Sequence, residues 1–380
     1  MRRVHVLHIL AERGYSGGEL QLEYLIRHLQ ARGHRNTVLL PPGARFAEPA
    51  RRLGADVRTA PLRAPWHPGL WRGVRAALRE GPDVVHFGCG RSLLWGGLAA
   101  RGSPALKVTT RRIDYPIGRG LRGWRYRRLV DHVVANCAAV RARVLAAGVP
   151  EERVTLVHEG IDLAPWQGIR AGRDAARAAL GLPPDAVVVT CAATLRPRKG
   201  QRVLIDAFAA LAPRFERALL VLAGRGSDRA ALEAHVARAG LGARVRLPGA
   251  VSPMQPLYAA SDVFCMPSFH EGLSNACLEA SAAGLPLVVT SVGGLPEIVA
   301  HGVTGEVVPP GDVAALAAAL ERMLADPDLR ARCGAAGAAR TAEMFPATRM
   351  AERTEALWIR LLAERAGGQA HRSPATGTPG

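Results

Sequence analysis

The most constraining feature of this chain is an alternation. Short runs rich in Val, Ile and Leu take turns with segments whose apolar residues recur at helical spacing, in two successive series. "VHVLHIL" reads as a strand, and "GGELQLEYLIRHLQARGH" as a helix with Leu20, Tyr24, Leu25 and Leu29 on one face. "NTVLL", "WRGVRAALRE", "DVVHFG" and "HVVANC" continue the series. At "VHEGIDLAPWQGIRAG" (157–172) the periodicity lapses into Gly/Pro-rich sequence, and a second series opens with "DAVVVTCAAT". Such βαβ alternation specifies a parallel sheet with helices on both faces. At 380 residues the chain is also too long for one ordinary core. The expectation is an α/β protein of two Rossmann-like doubly wound domains, 1–165 and 166–345, facing a central cleft. An amphipathic helix over 346–366 with a bend at Pro346 follows, and 367–380 is expected to be a disordered tail because its apolar content is low.

Composition narrows the class. A 48% hydrophobic and 22% charged chain is a folded globular protein. Six single cysteines have neither metal-ligand nor disulfide-framework spacing and read as reduced thiols of a cytoplasmic protein. No run approaches the apolar length of a membrane span, and "MRRVHVLHIL" reads as a first strand, not a signal peptide. The net charge of +18 is uneven: residues 1–165 carry 27 basic against 13 acidic side chains. Seven arginines interleave with aromatic and aliphatic residues in "RRIDYPIGRGLRGWRYRR" (111–128). That pattern suits an anionic acceptor or an anionic membrane at the inner face of the cell membrane. No nucleic-acid motif accompanies the charge, so nucleic acid is not an expected partner.

The chemistry concentrates at expected strand ends, where ligands of such sheets sit. No G-x-G-x-x-G follows any strand, since "GCGRSL" and "GRGSDR" lack the third glycine, and no G-x-x-x-x-G-K-[ST] occurs. "SFHEGLSNACLEASAAG" (268–284) instead places Glu271 in a loop after a buried strand and Glu279 one turn into the next helix. Gly272 would let backbone approach a ligand, Ser274 would cap the helix, and the amides there form an anion site. "TLRPRKG" (194–200) puts Arg196 and Lys199 at the cleft, and Lys199 is one of only two lysines against 48 arginines. A lysine retained in such a chain marks a place for a compact point charge. In "GYSGGEL" (14–20), Gly17 and Gly18 permit close approach to phosphate or sugar.

Together these segments resemble the retaining glycosyltransferases of family four, which have the two-Rossmann-domain GT-B fold. The resemblance runs from "SGGE" to the final helix. It rests on Glu271 and Glu279 with seven residues between, on "LRPRKG", on "GLPLVVTSVGGLPEIVAHGVTGEVVPPGD" (284–312) and on "VHEGID". It implies retaining transfer of a sugar from a nucleotide-diphosphate donor, UDP-sugar first, to a hydroxyl acceptor such as a cell-envelope, lipopolysaccharide or lipid-linked glycan. No metal and no cofactor are implied, and the donor sits on the C-terminal domain, the acceptor on the N-terminal one. The last helix is expected to cross back onto the first domain. Carried over, Glu271 holds donor sugar hydroxyls and the amides of Gly272, Leu273 and Ser274 face sugar and diphosphate. Glu279 binds ribose, and Lys199 with an arginine neutralises the leaving group. Gly17 and Gly18 close over the phosphates, the backbone at Leu247 contacts the base, and His86 faces the reacting centre.

Two departures stand out. The family's arginine five residues before the lysine is Thr194 here, with Arg196 as the candidate replacement. The family's second histidine is Gly88, leaving Arg111, Arg112 and Asp114 as acceptor-side candidates. The rival readings are a non-catalytic nucleotide-sugar-binding protein, a nucleotide-sugar epimerase on the same plan, and a basic surface protein without chemistry.

Overall fold

The computed structural model describes residues 2–118 and 120–370. The first series of runs forms seven strands: β1 (His5–Ile9), β2 (Arg35–Leu40), β3 (Asp56–Thr59), β4 (Val84–Phe87), β5 (Leu106–Arg111), β6 (His132–Ala135) and β7 (Val154–Leu156). They lie in the order β3-β2-β1-β4-β5-β6-β7, every pair parallel. The second series forms β8 (Val187–Ala192), β9 (Ala218–Ala223), β10 (Val245–Gly249), β11 (Val263–Met266), β12 (Leu287–Thr290) and β13 (Gly305–Val308). Their order, β10-β9-β8-β11-β12-β13, repeats the same plan, again all parallel. Each sheet reverses its strand order once, at β1/β4 and at β8/β11. Such switch points open a crevice at the strands' carboxyl ends. Two Rossmann-like domains facing each other make this a GT-B fold.

The domains are packed together as well as tethered. One buried apolar cluster runs from Leu7 and Phe87 of the first sheet through Cys137 to Leu273 and Phe264 of the second domain. The chain crosses between domains twice, and the crossings are bonded to each other: Ile161 N–H donates to the Phe345 carbonyl at 2.8 Å and Ala347 N–H to the Ile161 carbonyl at 2.9 Å. The bend expected at Pro346 is a break between the helices Pro327–Met344 and Ala347–Ala370. The last helix returns to the first domain, where Trp358, 2% exposed, packs against the rings of His8 and His86. Glu355 anchors it by accepting from His34 at 2.7 Å, His28 at 2.8 Å and Arg32 at 3.0 Å. This helix continues through Ala370, beyond the point where the tail was expected to begin, and residues 371–380 lie outside the described residues.

Candidate active site

After β8 the chain passes Thr194 and makes a short turn, Pro197–Lys199, ending at Gly200. Gly200 has φ +71°, and a Cβ there would lie 1.9 Å from the Pro267 carbonyl oxygen. Only glycine lets this turn lie against the end of β11. The approach places the buried Lys199 in direct contact with Glu271, whose carboxylate also accepts from Ser268 Oγ at 3.2 Å. Glu279, in the helix Asn275–Ala282, accepts from Tyr258 Oη at 3.1 Å. Burial pushes its carboxyl up to about 7 against the hydrogen bond from Tyr258. With Thr194, Arg225, Val251, Met254 and Tyr258 it lines a cavity of about 350 Å³. The two glutamates therefore serve different spaces, one paired with Lys199 and one in the wall of this cavity.

Several expectations for this half need correction. Arg196 is exposed, its side chain makes no hydrogen bond or ion pair among the described residues, and it does not line the cavity. Arg225, at the end of β9, does line it, exposed and without an ion-pair partner among the described residues. The Leu247 carbonyl accepts from Arg229 at 2.8 Å, and the cavity wall is built from Ala250 and Val251 instead. Gly272 also permits a close approach within the protein: a Cβ there would meet the Arg112 carbonyl oxygen at 2.1 Å and Asn136 Nδ2 at 2.9 Å. It is one of the points where the two domains touch. Leu273 is buried in the shared core, and Ser274 holds the N-cap position without a side-chain capping bond. Across the gap, Gly17 and Gly18 open the helix Gly17–Ala31, whose start is fixed by Ser16 N–H donating to Glu19 at 2.9 Å. Asn275 Nδ2 donates to the Gly17 carbonyl at 3.2 Å, and Gln21 to Asn275 Oδ1 at 3.1 Å.

On the first domain, His86 does not reach the cleft. Its Nδ1 lies 3.2 Å from His8 Nδ1 and its Nε2 3.0 Å from Thr110 Oγ1, beneath Trp358. Burial, then His8, lowers its pKa well below the ordinary range, so it is a neutral core side chain. His86 lies on the sheet face that the last helix covers, against Trp358, while Gly88, beyond the end of β4, lines a cavity at the strand ends. Arg112 is at the gap, donating to Glu159 at 2.6 Å and to the Gly88 carbonyl at 3.1 Å. Glu159, from "VHEGID", also accepts from Asn136 at 3.0 Å, and burial raises its carboxyl against the pull of Arg112. Arg111 is nine-tenths buried, donating to Tyr126 Oη at 3.0 Å and to the Tyr115 carbonyl. Asp114 is buried, its Oδ1 3.4 Å from His270 Nδ1, an ion-pair distance without hydrogen-bond geometry. The second domain clamps the first through Glu297, which accepts from Ala138 N–H at 2.8 Å and His158 Nε2 at 2.7 Å.

The arginine-rich segment is more structural than its composition suggests. Arg111, Arg112, Arg125 and Arg127 donate to internal oxygens, while Arg122 and Arg128 are exposed and Arg119 lies outside the described residues. Among the described residues no three His, Cys, Asp or Glu side chains gather in a way that could hold a metal ion, and no helix is long and apolar enough to cross a membrane.

Comparison with known proteins follows this geometry. The family described as Glycosyl transferases group 1 matches residues 172–340, and Glycosyltransferase Family 4 matches residues 15–165. The lipopolysaccharide core biosynthesis glycosyltransferase LpsE of Rhizobium meliloti is 32% identical over 339 residues, 84% of this chain and 89% of that protein. The chain belongs to glycosyltransferase family 4. A second family member, the D-inositol 3-phosphate glycosyltransferase of Streptomyces bingchenggensis, is 36% identical over 227 residues, 57% of this chain. The chain spans about half the length of such inositol phosphate enzymes. Among solved structures, Anabaena HepE in complex with UDP and glucose superimposes with TM-score 0.84 at 21% identity, covering 93% of this chain and 99% of that one. Sucrose-phosphate synthase of Thermosynechococcus elongatus gives 0.81 at 22%, covering 96% and 100%. At these identities the likeness supports the GT-B fold.

Proposed function

We infer that this protein transfers a sugar from a nucleoside diphosphate sugar, UDP-sugar first, to a hydroxyl of a cell-envelope or lipid-linked glycan, with retention and without a metal. The observation that carries this reading is the Lys199–Glu271 pair at the second switch point, next to a cavity walled by Glu279. In this reading the nucleotide fills that cavity and Glu279 accepts from ribose hydroxyls. Glu271, held by Lys199 and Ser268, accepts from the donor sugar. The bond from the anomeric carbon to the diphosphate breaks, and the charge that develops is stabilised by Lys199 and Arg225 in a site fixed before the reaction. The acceptor oxygen bonds to the same face of that carbon, and its proton passes to the departing diphosphate. Contact between the domains at Gly272 keeps water from the donor. The structural likeness to HepE, solved in complex with UDP and with UDP-glucose, supports the donor class. Work on the cytoplasmic side, at an anionic membrane surface, fits the exposed Leu121, Arg122 and Arg128.

The test is thermal stabilisation by a panel of nucleotide sugars, followed by NMR of the product made from the best one. The expected result is stabilisation by one nucleotide class and a product whose anomeric configuration equals the donor's, formed equally well with a chelator present. An inverted product, or no stabilisation by any nucleotide sugar, would overturn the reading. Thr194, standing where the family carries arginine, favours one second reading, a donor-binding protein without transfer. That protein would be stabilised by a donor yet form no product.

A further inference from the structure

A second cavity, of about 350 Å³, lies at the carboxyl ends of β4 and β5. Four guanidinium groups line it, those of Arg111, Arg112, Arg122 and Arg125, and no carboxylate does. Among the described residues only Arg112 of the four has an acidic partner, Glu159. Arg111 is 9% exposed and its two terminal nitrogens are engaged by Tyr126 and Tyr115, yet its Nε–H is buried with no acceptor. Arg125 repeats the pattern: one terminal nitrogen donates to the Gly90 carbonyl at 2.9 Å, while its Nε–H is buried without an acceptor. Both guanidinium groups stand over the Tyr126 ring, at 5.6 and 5.2 Å from its centroid, so the scaffold holds them in place. Arg122 is exposed and bonds to nothing among the described residues. The first turn of the helix Gly90–Ala99 opens onto the same space, adding its amide dipoles. Buried donors without acceptors are costly, and three positive charges held together without a carboxylate repel one another. An oxyanion in the cavity would offset that uncompensated positive charge.

The cavity also adjoins the candidate reaction centre. Tyr115, one of its walls, lies with its ring centroid 4.6 Å from that of His270, the neighbour of Glu271. The backbone of Arg112, another wall, touches Gly272.

The geometry points to an anionic acceptor: this cavity holds a phosphate or carboxylate group borne by the acceptor sugar, fixing it while its hydroxyl enters the gap beside Glu271. The inference rests on the transfer reading above and names the acceptor class. Its chemistry is that of guanidinium groups, which match an oxyanion with paired N–H donors, so a neutral sugar should be a poor occupant.

Calorimetric titration tests it, with glucose 6-phosphate, glucuronate and glucose as probes, each run with the donor site saturated by UDP and again without UDP. At least one anionic probe is expected to bind roughly tenfold or more tightly than glucose. Arg122→Gln and Arg125→Gln are expected to weaken that probe roughly tenfold while the UDP affinity stays the same. The phosphate and carboxylate arms show which oxyanion is preferred. Should Arg125→Gln fail to fold, Arg122→Gln remains decisive, because the Arg122 side chain is exposed and makes no hydrogen bond or ion pair among the described residues. Equal binding of glucose and both anions, or anion binding unchanged in Arg122→Gln, would overturn the inference. UDP binding without anion preference would remove this inference alone, whereas absence of UDP binding would remove the donor reading and leave the anion titration readable.

Discussion

Glu279 is the residue whose charge state ties the cavity to pH. Burial lifts its carboxyl to about 7, so near neutrality it is only partly ionised. Because its folded value lies above its unfolded one, ionisation costs folding stability as pH rises from the ordinary carboxyl range to about 7. Hydroxyl donors favour the ionised form, so donor affinity should increase as pH rises through about 7. Glu279→Gln, neutral throughout, should flatten that profile. Calorimetry with the best-stabilising UDP-sugar between about pH 6 and 8 checks this, and a profile identical in the variant would exclude Glu279 from the ribose contact. The placement of Lys199, Glu271 and Glu279 beyond the ends of β8 and β11 was legible in the sequence because strand ends, a glycine turn and a rare lysine are local signals. His86 and Arg196 were not. Which way a strand-end side chain turns depends on what covers each sheet face, and the Trp358 that covers His86 arrives from the far end of the chain. Arg225 has no local signal of this kind: it is one of 48 arginines, and only the fold brings the end of β9 to the cavity wall.

At the scale of elements, the last helix depends on one buried carboxylate. Burial pushes the Glu355 carboxyl up, but hydrogen bonds from His34, His28 and Arg32 prevail and hold it below its ordinary range. The stability it supplies is therefore complete above the unfolded carboxyl value and is lost as pH falls through the lower folded one. Glu355→Ala leaves the buried His34 Nε2 without its partner and should cost about 1–3 kcal/mol, read by urea unfolding at neutral pH. A change within error would show the helix is held by Trp358 and its apolar neighbours alone. The alternation of elements was legible because buried parallel strands are continuous apolar runs. Among the strands that escaped notice, β3 "DVRT" and β5 "LKVTTR" carry charge near the sheet's rim or strand ends, and β7 "VTL" is only three residues long, so they lack that signature. The helix Gly90–Ala99 was hidden by its glycines, where Gly96 and Gly97 pack closely against Phe87 and Leu129.

For the whole molecule, function in this account requires two domains in contact, and Gly272 sits at that contact. A methyl group there cannot coexist with the Arg112 carbonyl 2.1 Å away, so Gly272→Ala should prop the domains apart. Transfer is expected to fall at least about tenfold, since small misplacements of reactants are that costly, while UDP affinity and melting temperature change little. Gly17→Ala meets only the Asn275 amide, at 2.8 Å, a side-chain tip that can swing away, and should be the milder variant. Equal rates for wild type and Gly272→Ala would mean that closure is not needed. The twofold repeat of the Rossmann plan could be read from periodicity, but the interdomain contacts of Glu297 with Ala138 and of Gln21 with Asn275 could not, because they pair residues more than a hundred positions apart. The decisive measurement is the rate of sugar transfer by Lys199→Ala at saturating donor, beside a far-UV spectrum showing an intact fold. A loss of roughly 10²-fold or more is expected, the scale for removing one positioned stabiliser of a leaving charge. Transfer at a near-normal rate would contradict the assignment of Lys199 and Glu271 to the reacting centre.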